Sequence, residues 1–380
     1  MTRPLTTLLL LSALSLPFIP AGATAFAAVS ASGAEAALLP ISADWVGEGA
    51  TQGGDSGFTV ASAGDVDNDG VDDILVGAPR HIAPSGLREG GAFLYLGASG
   101  GTSSGANWIG TSGQHGAEYG HALASAGDVD GDGYDDVIVG APHYATDDGA
   151  AFLYYGSEDG LSTTAGWFVA GANNDAQYGV AVASAGDVNG DGFDDVLVGA
   201  HHYSQDQSTE GAAYLYYGSA DGLLSTPGWS LESGRTNARF GGAVSSAGDI
   251  NADGYDDVLI GAPTYTADQV DEGRAYVFYG AEAGLAVEPD LVLEVNRTEA
   301  WFGAAVASAG DVNGDGFDDV IIGAPHADGI QESEGMAFVF YGASTGLSPS
   351  ANWLNAGGQE YGQYGYAVAG AGDLNHDGYA

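Results

Sequence analysis

One hexapeptide pattern, Asp-(Val/Ile/Leu)-(Asp/Asn)-x-Asp-Gly, occurs six times in this sequence, starting at Asp65, Asp128, Asp187, Asp249, Asp311 and Asp373. Position 3 is Asp67, Asp130, Asn189, Asn251, Asn313 and Asn375. Position 5 is Asp69, Asp132, Asp191, Asp253, Asp315 and Asp377, followed each time by glycine. Position 9 is Asp73, Asp136, Asp195, Asp257 and Asp319 in the first five copies. Oxygen-bearing side chains at alternate positions, with glycine at the sharp turn, are what a loop needs to curl around a hard cation. Position 7 would add its backbone carbonyl. It is Val71, Tyr134, Phe193, Tyr255, Phe317 and Tyr379, which offer the ion nothing else. With only oxygen on offer, Ca2+ is the expected ion, about one per complete repeat, and Mg2+, which keeps its waters, fits less well. The loops at Asp65 and Asp128 carry four acids and should bind most tightly. An EF-hand is excluded because position 12 is Val76, Val139, Val198, Ile260 or Ile322, where that loop requires Glu. The competing reading is a set of metal-free Asp/Gly turns. Six such clusters in register, with no cation among them, would resist closing through mutual repulsion.

Net charge sharpens the point. The chain has 7 Lys+Arg against 51 Asp+Glu, a formal charge of -44. Such a surface repels nucleic acid and anionic lipid. Yet 45% of residues are hydrophobic and 10% aromatic, so this is a folded chain rather than an acidic tail. There is no cysteine, hence no disulfide and no thiol for a lipid. Residues 1–28 read as a signal peptide, with Arg3, an apolar stretch over 5–19 and an Ala25-Phe26-Ala27 cleavage site. That stretch is shorter than the ~20 residues of a membrane span, and Pro17 and Pro20 interrupt its end. A leader over 29–44 follows. The expected localisation is secreted, extracellular or at the cell surface, without a membrane span.

The elements that position the loops repeat with them. The six motif starts are 63, 59, 62, 62 and 62 residues apart. In the repeat opening at Tyr119, four strand-like stretches follow one another: 119–126, the continuous apolar run 136–141, the aromatic stretch 150–155, and 167–170. The 64 glycines, about twice the ordinary share, punctuate the junctions. No helical period persists. Four short strands per ~60 residues predict an all-β chain, a β-propeller of four-stranded blades. A β-helix or leucine-rich repeat has a much shorter period. Blades are expected at 58–118, 119–177, 178–239, 240–301 and 302–363, with a partial sixth over 364–380 that supplies one strand and most of a loop. Trp45 precedes the first blade as Trp108, Trp167, Trp229 and Trp353 precede later ones, so it predicts an orphan fourth strand that closes the ring. The array stops in mid-repeat, which predicts that the gene product continues.

Phe/Tyr-Gly, then the acidic loop, then Gly-Ala-Pro is similar to the FG-GAP repeat of integrin α-chain N-terminal propellers. It reads Tyr119-Gly120 with Gly140-Ala141-Pro142, Phe240-Gly241 with Gly261-Ala262-Pro263, and Phe302-Gly303 with Gly323-Ala324-Pro325. Two repeats depart, with Gly57-Phe58-Thr59 in the first and Gly199-Ala200-His201 in the third. The resemblance implies seven blades, calcium on the lower face and ligands on the upper. It implies a calcium-binding adhesion or scaffold module for an extracellular protein or glycan, not itself an enzyme. The export segment and the lack of cysteine fit a prokaryotic secreted member. The alternative is the propeller part of a secreted hydrolase or lyase, since glycosylphosphatidylinositol-cleaving phospholipases carry similar repeats behind a separate catalytic domain.

Other candidates are weaker. Gly54-Asp55-Ser56-Gly57 matches a serine-protease nucleophile signature, but it falls where other repeats approach Phe/Tyr-Gly and reads as a turn. His81, His143, His202 and His326, with Tyr144, Tyr203 and Tyr265, follow the second strand of their repeats and could contact a ligand or simply pack at the strand end. The loops 80–90, 205–211, 264–273 and 327–335 vary most and are where a partner would dock. Phe152, Tyr154, Tyr214, Tyr216, Phe338 and Phe340 are expected core. Asn296-Arg297-Thr298 matches a glycosylation sequon.

Overall fold

The computed structural model describes residues 45–47, 53–99, 101–171, 175–375 and 377–380. The expected signal peptide and leader lie outside the described residues. Five four-stranded antiparallel sheets span 59–110, 122–170, 181–232, 243–293 and 305–356, with the strands of each sheet in chain order. These are propeller blades. The second strand of each blade is one near-identical apolar hexapeptide, Asp136–Ala141 in the second blade. It sits between two hydrogen-bonded neighbours and is buried along its length. The first strand of each blade packs against the first strand of the next. The third strands carry the large side chains that fill the seams. Phe152, Tyr154, Tyr216, Phe338 and Phe340 are buried, and Tyr214 is half-buried.

The first strand of the second blade begins at Ala122 rather than Tyr119. Tyr119 instead forms a parallel bridge with Gly90 of the preceding blade, and the other Phe/Tyr-Gly pairs bridge their predecessors in the same way. The ring is wholly buried in the seam, where the Tyr119 and Tyr154 hydroxyls lie 2.8 Å apart. The following Gly120 has φ +82°, and a Cβ there would sit 2.3 Å from the Gly91 carbonyl oxygen. The motif is therefore an inter-blade latch. In the first blade Gly57 takes the latch glycine's place, its N–H donating to Gly77, while Phe58 is about half exposed beside His121.

Tryptophans form a second latch. Trp108 Nε1 donates to the Ser162 carbonyl (3.0 Å), and its ring meets Tyr154 edge-on at 4.7 Å, both in the next blade. Trp167 and Trp229 repeat this on Leu224 and Ala286. Trp45 does the same to the first blade, donating to Ser103 (2.8 Å) and packing on Tyr95. It thus occupies the place that a neighbouring blade's fourth strand would fill. The sixth repeat departs from expectation. Its Tyr364-Gly365 latch is present, but no strand follows among the described residues. In the other blades the first strand pairs with a second, and no second strand stands beside 366–372 among the described residues.

Candidate metal centres

Each of the first five acidic loops joins a first strand to a second, so these lie at one end of the blades. Inside a loop the carboxylates organise the backbone before any ion arrives. Asp128 Oδ1 accepts the Asp132 N–H (3.0 Å) and Oδ2 the Gly133 N–H (2.8 Å). Asp130 Oδ1 accepts the Asp132 N–H and Asp132 Oδ1 the Tyr134 N–H. The position-1 and position-5 bonds recur from the loop at Asp65 to the loop at Asp373. They hold the side chains of positions 1, 3 and 5 against the loop backbone. In the loops with four acids, one oxygen each from Asp65, Asp67 and Asp73, and from Asp128, Asp130 and Asp136, lie within 4.8 Å of one another. In the next three loops asparagine replaces the position-3 acid, and among the described residues no further group of three carboxylates comes together.

Position 9 is more than a potential ligand. Asp195 is fully buried, its Oδ2 accepting the Val188 N–H (3.2 Å) and its Oδ1 the Gly218 N–H (2.9 Å) at the end of the third strand. The other four position-9 acids make the same two bonds. Burial pushes their pKa values up, against those two bonds. Asp73 and Asp319 rise to about 6, Asp257 to about 7, and Asp136 and Asp195 to about 8. Asp67 and Asp130 are also raised, by burial and then by the charge of the position-5 acid beside them. A group that resists ionising while surrounded by its own sign fits a compensating cation. The all-oxygen donor set fits a hard divalent one.

Position 8 had no role in the sequence reading. It is Asp72, Asp135, Asp194, Asp256 and Asp318. The Asp65 N–H donates to Asp135 Oδ2 (2.8 Å), and the Asp135 N–H returns a bond to the Asp65 carbonyl (3.2 Å). Asp194, Asp256 and Asp318 clasp Asp128, Asp187 and Asp249 in the same way. Room for the carboxylate comes from the residue before position 1. Gly127 has φ +73°, and a Cβ there would lie 2.1 Å from Asp194 Oδ2. Position 7 likewise does more than offer a carbonyl, since the Phe193 ring lies over Gly131 of the preceding loop. The visible signal was the Asp-Asp doublet in all five complete loops.

The opposite end is chemically different. Arg80, Arg88, Arg235, Arg239, Arg274 and Arg297, and every described histidine, sit there, in or beside connections that leave second or fourth strands. Among the described residues no arginine shares the face with the acidic loops. Six positions two residues before the latch glycine share one left-handed backbone, φ 52–56°, yet differ in chemistry: Asp55, Glu118, Gln177, Arg239, Trp301 and Gln363. Four face a partner after the second strand. Asp55 pairs with Arg80 (3.1 Å), Glu118 with His143 (3.5 Å), Gln177 with His201 (2.6 Å), and Trp301 packs on His326. The His/Tyr set divides accordingly. His81, Tyr203 and Tyr265 are buried packing residues, His81 edge-on to Phe93, whereas His143, His202 and His326 reach the face. Asp55 of the Gly-Asp-Ser-Gly stretch belongs to this ring, in a turn. Buried glutamates, also unforeseen, pin the variable loops from below. Glu210 Oε1 accepts the N–H groups of Gln205, Asp206 and Gln207, and Glu334 those of Ile330 and Gln331.

The model of the FG-GAP repeat matches residues 56–108, 119–154, 178–216, 240–278 and 302–340, together more than half of the chain. Similar proteins include integrin alpha pat-2 of Caenorhabditis briggsae, 32% identical over 54% of this chain and 18% of its own length. Phosphatidylinositol-glycan-specific phospholipase D of Bos taurus is 34% identical over 51% of this chain and 25% of its own. Integrin alpha-5 of Xenopus laevis is 28% identical over 61% and 22%. A solved structure, the Dos1 propeller, covers 80% of this chain and 62% of its own at 13% identity with a TM-score of 0.40. The chain thus spans about a fifth to a quarter of the length of these curated relatives. No helix among the described residues is long and apolar enough to cross a membrane. Five matched repeats, each one blade with its latch and its acidic loop, make the chain a member of the FG-GAP repeat family.

Proposed function

We propose that the chain is a secreted, calcium-binding adhesion or scaffold module that binds an extracellular protein or glycan on the face opposite its acidic loops. The observation that carries this is the ring of six positions with one backbone and varied side chains: two carboxylates, two amides, a guanidinium and an indole. A fixed frame with varied contents is how a repeat array builds a specific surface. The buried glutamates support it by holding the adjoining loops in shape. Integrins among the relatives favour a binding role.

On this reading positions 1, 3, 5 and 9 hold Ca2+ with the position-7 carbonyl. The ion supplies positive charge where the fold has none, and the residues do the rest. Positions 1, 3 and 5 present oxygens on a pre-formed backbone, while position 9 joins the loop to the third strand. The four-acid loops at Asp65 and Asp128 bind most tightly. The test immobilises the chain and measures capture of extracellular-matrix proteins and of a glycan array, in calcium and in chelator. Capture that Arg239→Glu or Trp301→Ala abolishes without lowering the melting temperature is expected. Capture indifferent to both substitutions would remove the ring from the ligand site. The phospholipase relative favours a second reading, in which this propeller accompanies a hydrolase. Release of a glycosylphosphatidylinositol anchor by the full-length gene product, but not by this propeller alone, would favour that reading.

A further inference from the structure

We infer that the position-8 aspartates are positioning residues that set the cation affinity of the preceding blade's loop rather than of their own. The inference rests on the calcium reading above. Position 1 is the first residue of each loop and the anchor of its internal bonds. Asp128 accepts two loop N–H groups through its carboxylate. Its own N–H and carbonyl are both held by Asp194 of the next blade, at 2.9 and 3.2 Å. A backbone tied at both polar atoms has little freedom to turn its side chain out of the loop. The clasp recurs at four consecutive seams, and each time the residue before position 1 is a glycine against which the carboxylate lies. Ala380 stands at position 8 of the sixth loop. It keeps the backbone half of the clasp, donating to the Asp311 carbonyl (3.1 Å), but has no side-chain carboxylate for the other half.

Two consequences follow from linkage. Whatever orders Asp128 for the ion also favours docking of the third blade, and the docked third blade raises the affinity of the second blade's loop. Each seam therefore couples one loop to the blade that follows it, and the coupling runs both ways. A purely structural staple would instead weaken the fold and leave each loop's affinity to its own residues.

The test is calorimetric calcium titration of the full chain and of Asp194→Ala, in a double-substitution cycle with Asp130→Ala, which removes a ligand of the preceding loop, and Asp191→Ala, which removes one of its own. The expected result is about tenfold weaker binding at one site in Asp194→Ala, within the range for linked sites. That loss should disappear in the Asp130→Ala background and persist in the Asp191→Ala background. Asp194→Asn, which keeps an acceptor oxygen, should recover most of the affinity. Melts in chelator establish that each variant is folded. The reverse pattern across the two backgrounds, or unchanged affinity in Asp194→Ala, overturns the inference alone. A parent chain that binds no calcium overturns the ion reading and the inference with it.

Discussion

Replacing Asp195 by alanine isolates the structural half of the position-9 acid from its role towards an ion. The side chain is fully buried, and its two oxygens are the acceptors for the Val188 and Gly218 N–H groups. Alanine leaves both donors buried without a partner, at about 1–3 kcal/mol each. Relief from burying a carboxylate whose pKa is already raised offsets part of that. The net expectation is a loss of about 2–4 kcal/mol, a large share of the ~5–15 kcal/mol that holds a domain together. At about 2 °C per kcal/mol for a chain of this size, the melting temperature should fall by about 4–8 °C. The assay is a thermal melt in excess chelator, so that lost ion binding plays no part. Asp191→Ala is the control. Asp191 lies in the same loop, but its bond to the Phe193 N–H is solvent-exposed, so this variant should stay within about 1 kcal/mol of the parent. If the two variants melt together in chelator, the position-9 acid does not clamp the blade and the reasoning fails.

Two further outcomes follow. Burial raises the folded-state pKa of the five position-9 acids above 3.8, so between about pH 4 and pH 6–8 the folded chain holds protons that the unfolded chain has released. These acids should therefore add stability in chelator as pH falls from 8 to 5, against His81, His201, His202 and His326, whose pKa values burial lowers and which act the other way; the melting-temperature difference between the parent and Asp195→Asn should grow in the parent's favour over that range, and a difference that shrinks would contradict the burial argument. Trp229→Ala removes a ring edge-on to Phe278 of the next blade and the bond from Nε1 to the Ala286 carbonyl, and should cost about 3–5 kcal/mol in equilibrium denaturation; a loss below 1 kcal/mol would show that the tryptophan latch is dispensable.

Much of this molecule is written in its residue order, because a repeat states its plan several times. Local patterns sufficed for the blade. An apolar hexapeptide that leaves an acidic loop and ends in Gly-Ala reads as a buried central strand, and 136–141 and 167–170 form strands with the expected bounds. The alternation of oxygen-bearing residues in the loops was equally local, since positions 1, 3 and 5 serve one another within a single turn. What residue order could not reveal lies between blades. Tyr119-Gly120 reads as the start of a strand, but its partner is Gly90 of the preceding blade. Asp194 reads as one more acid in an acidic loop, but the group it serves is Asp128, 66 residues earlier. The ring running from Asp55 to Gln363 keeps the repeat spacing, but its residue types differ, and only the docked blades show that the six share one face. Contacts within a hairpin are dictated by neighbours in the chain, so sequence alone determined the strands and loops. Contacts across a seam depend on how one blade docks on the next, and that docking, which only the tertiary structure decided, assigns the position-8 aspartates, the latches and the mixed face their roles.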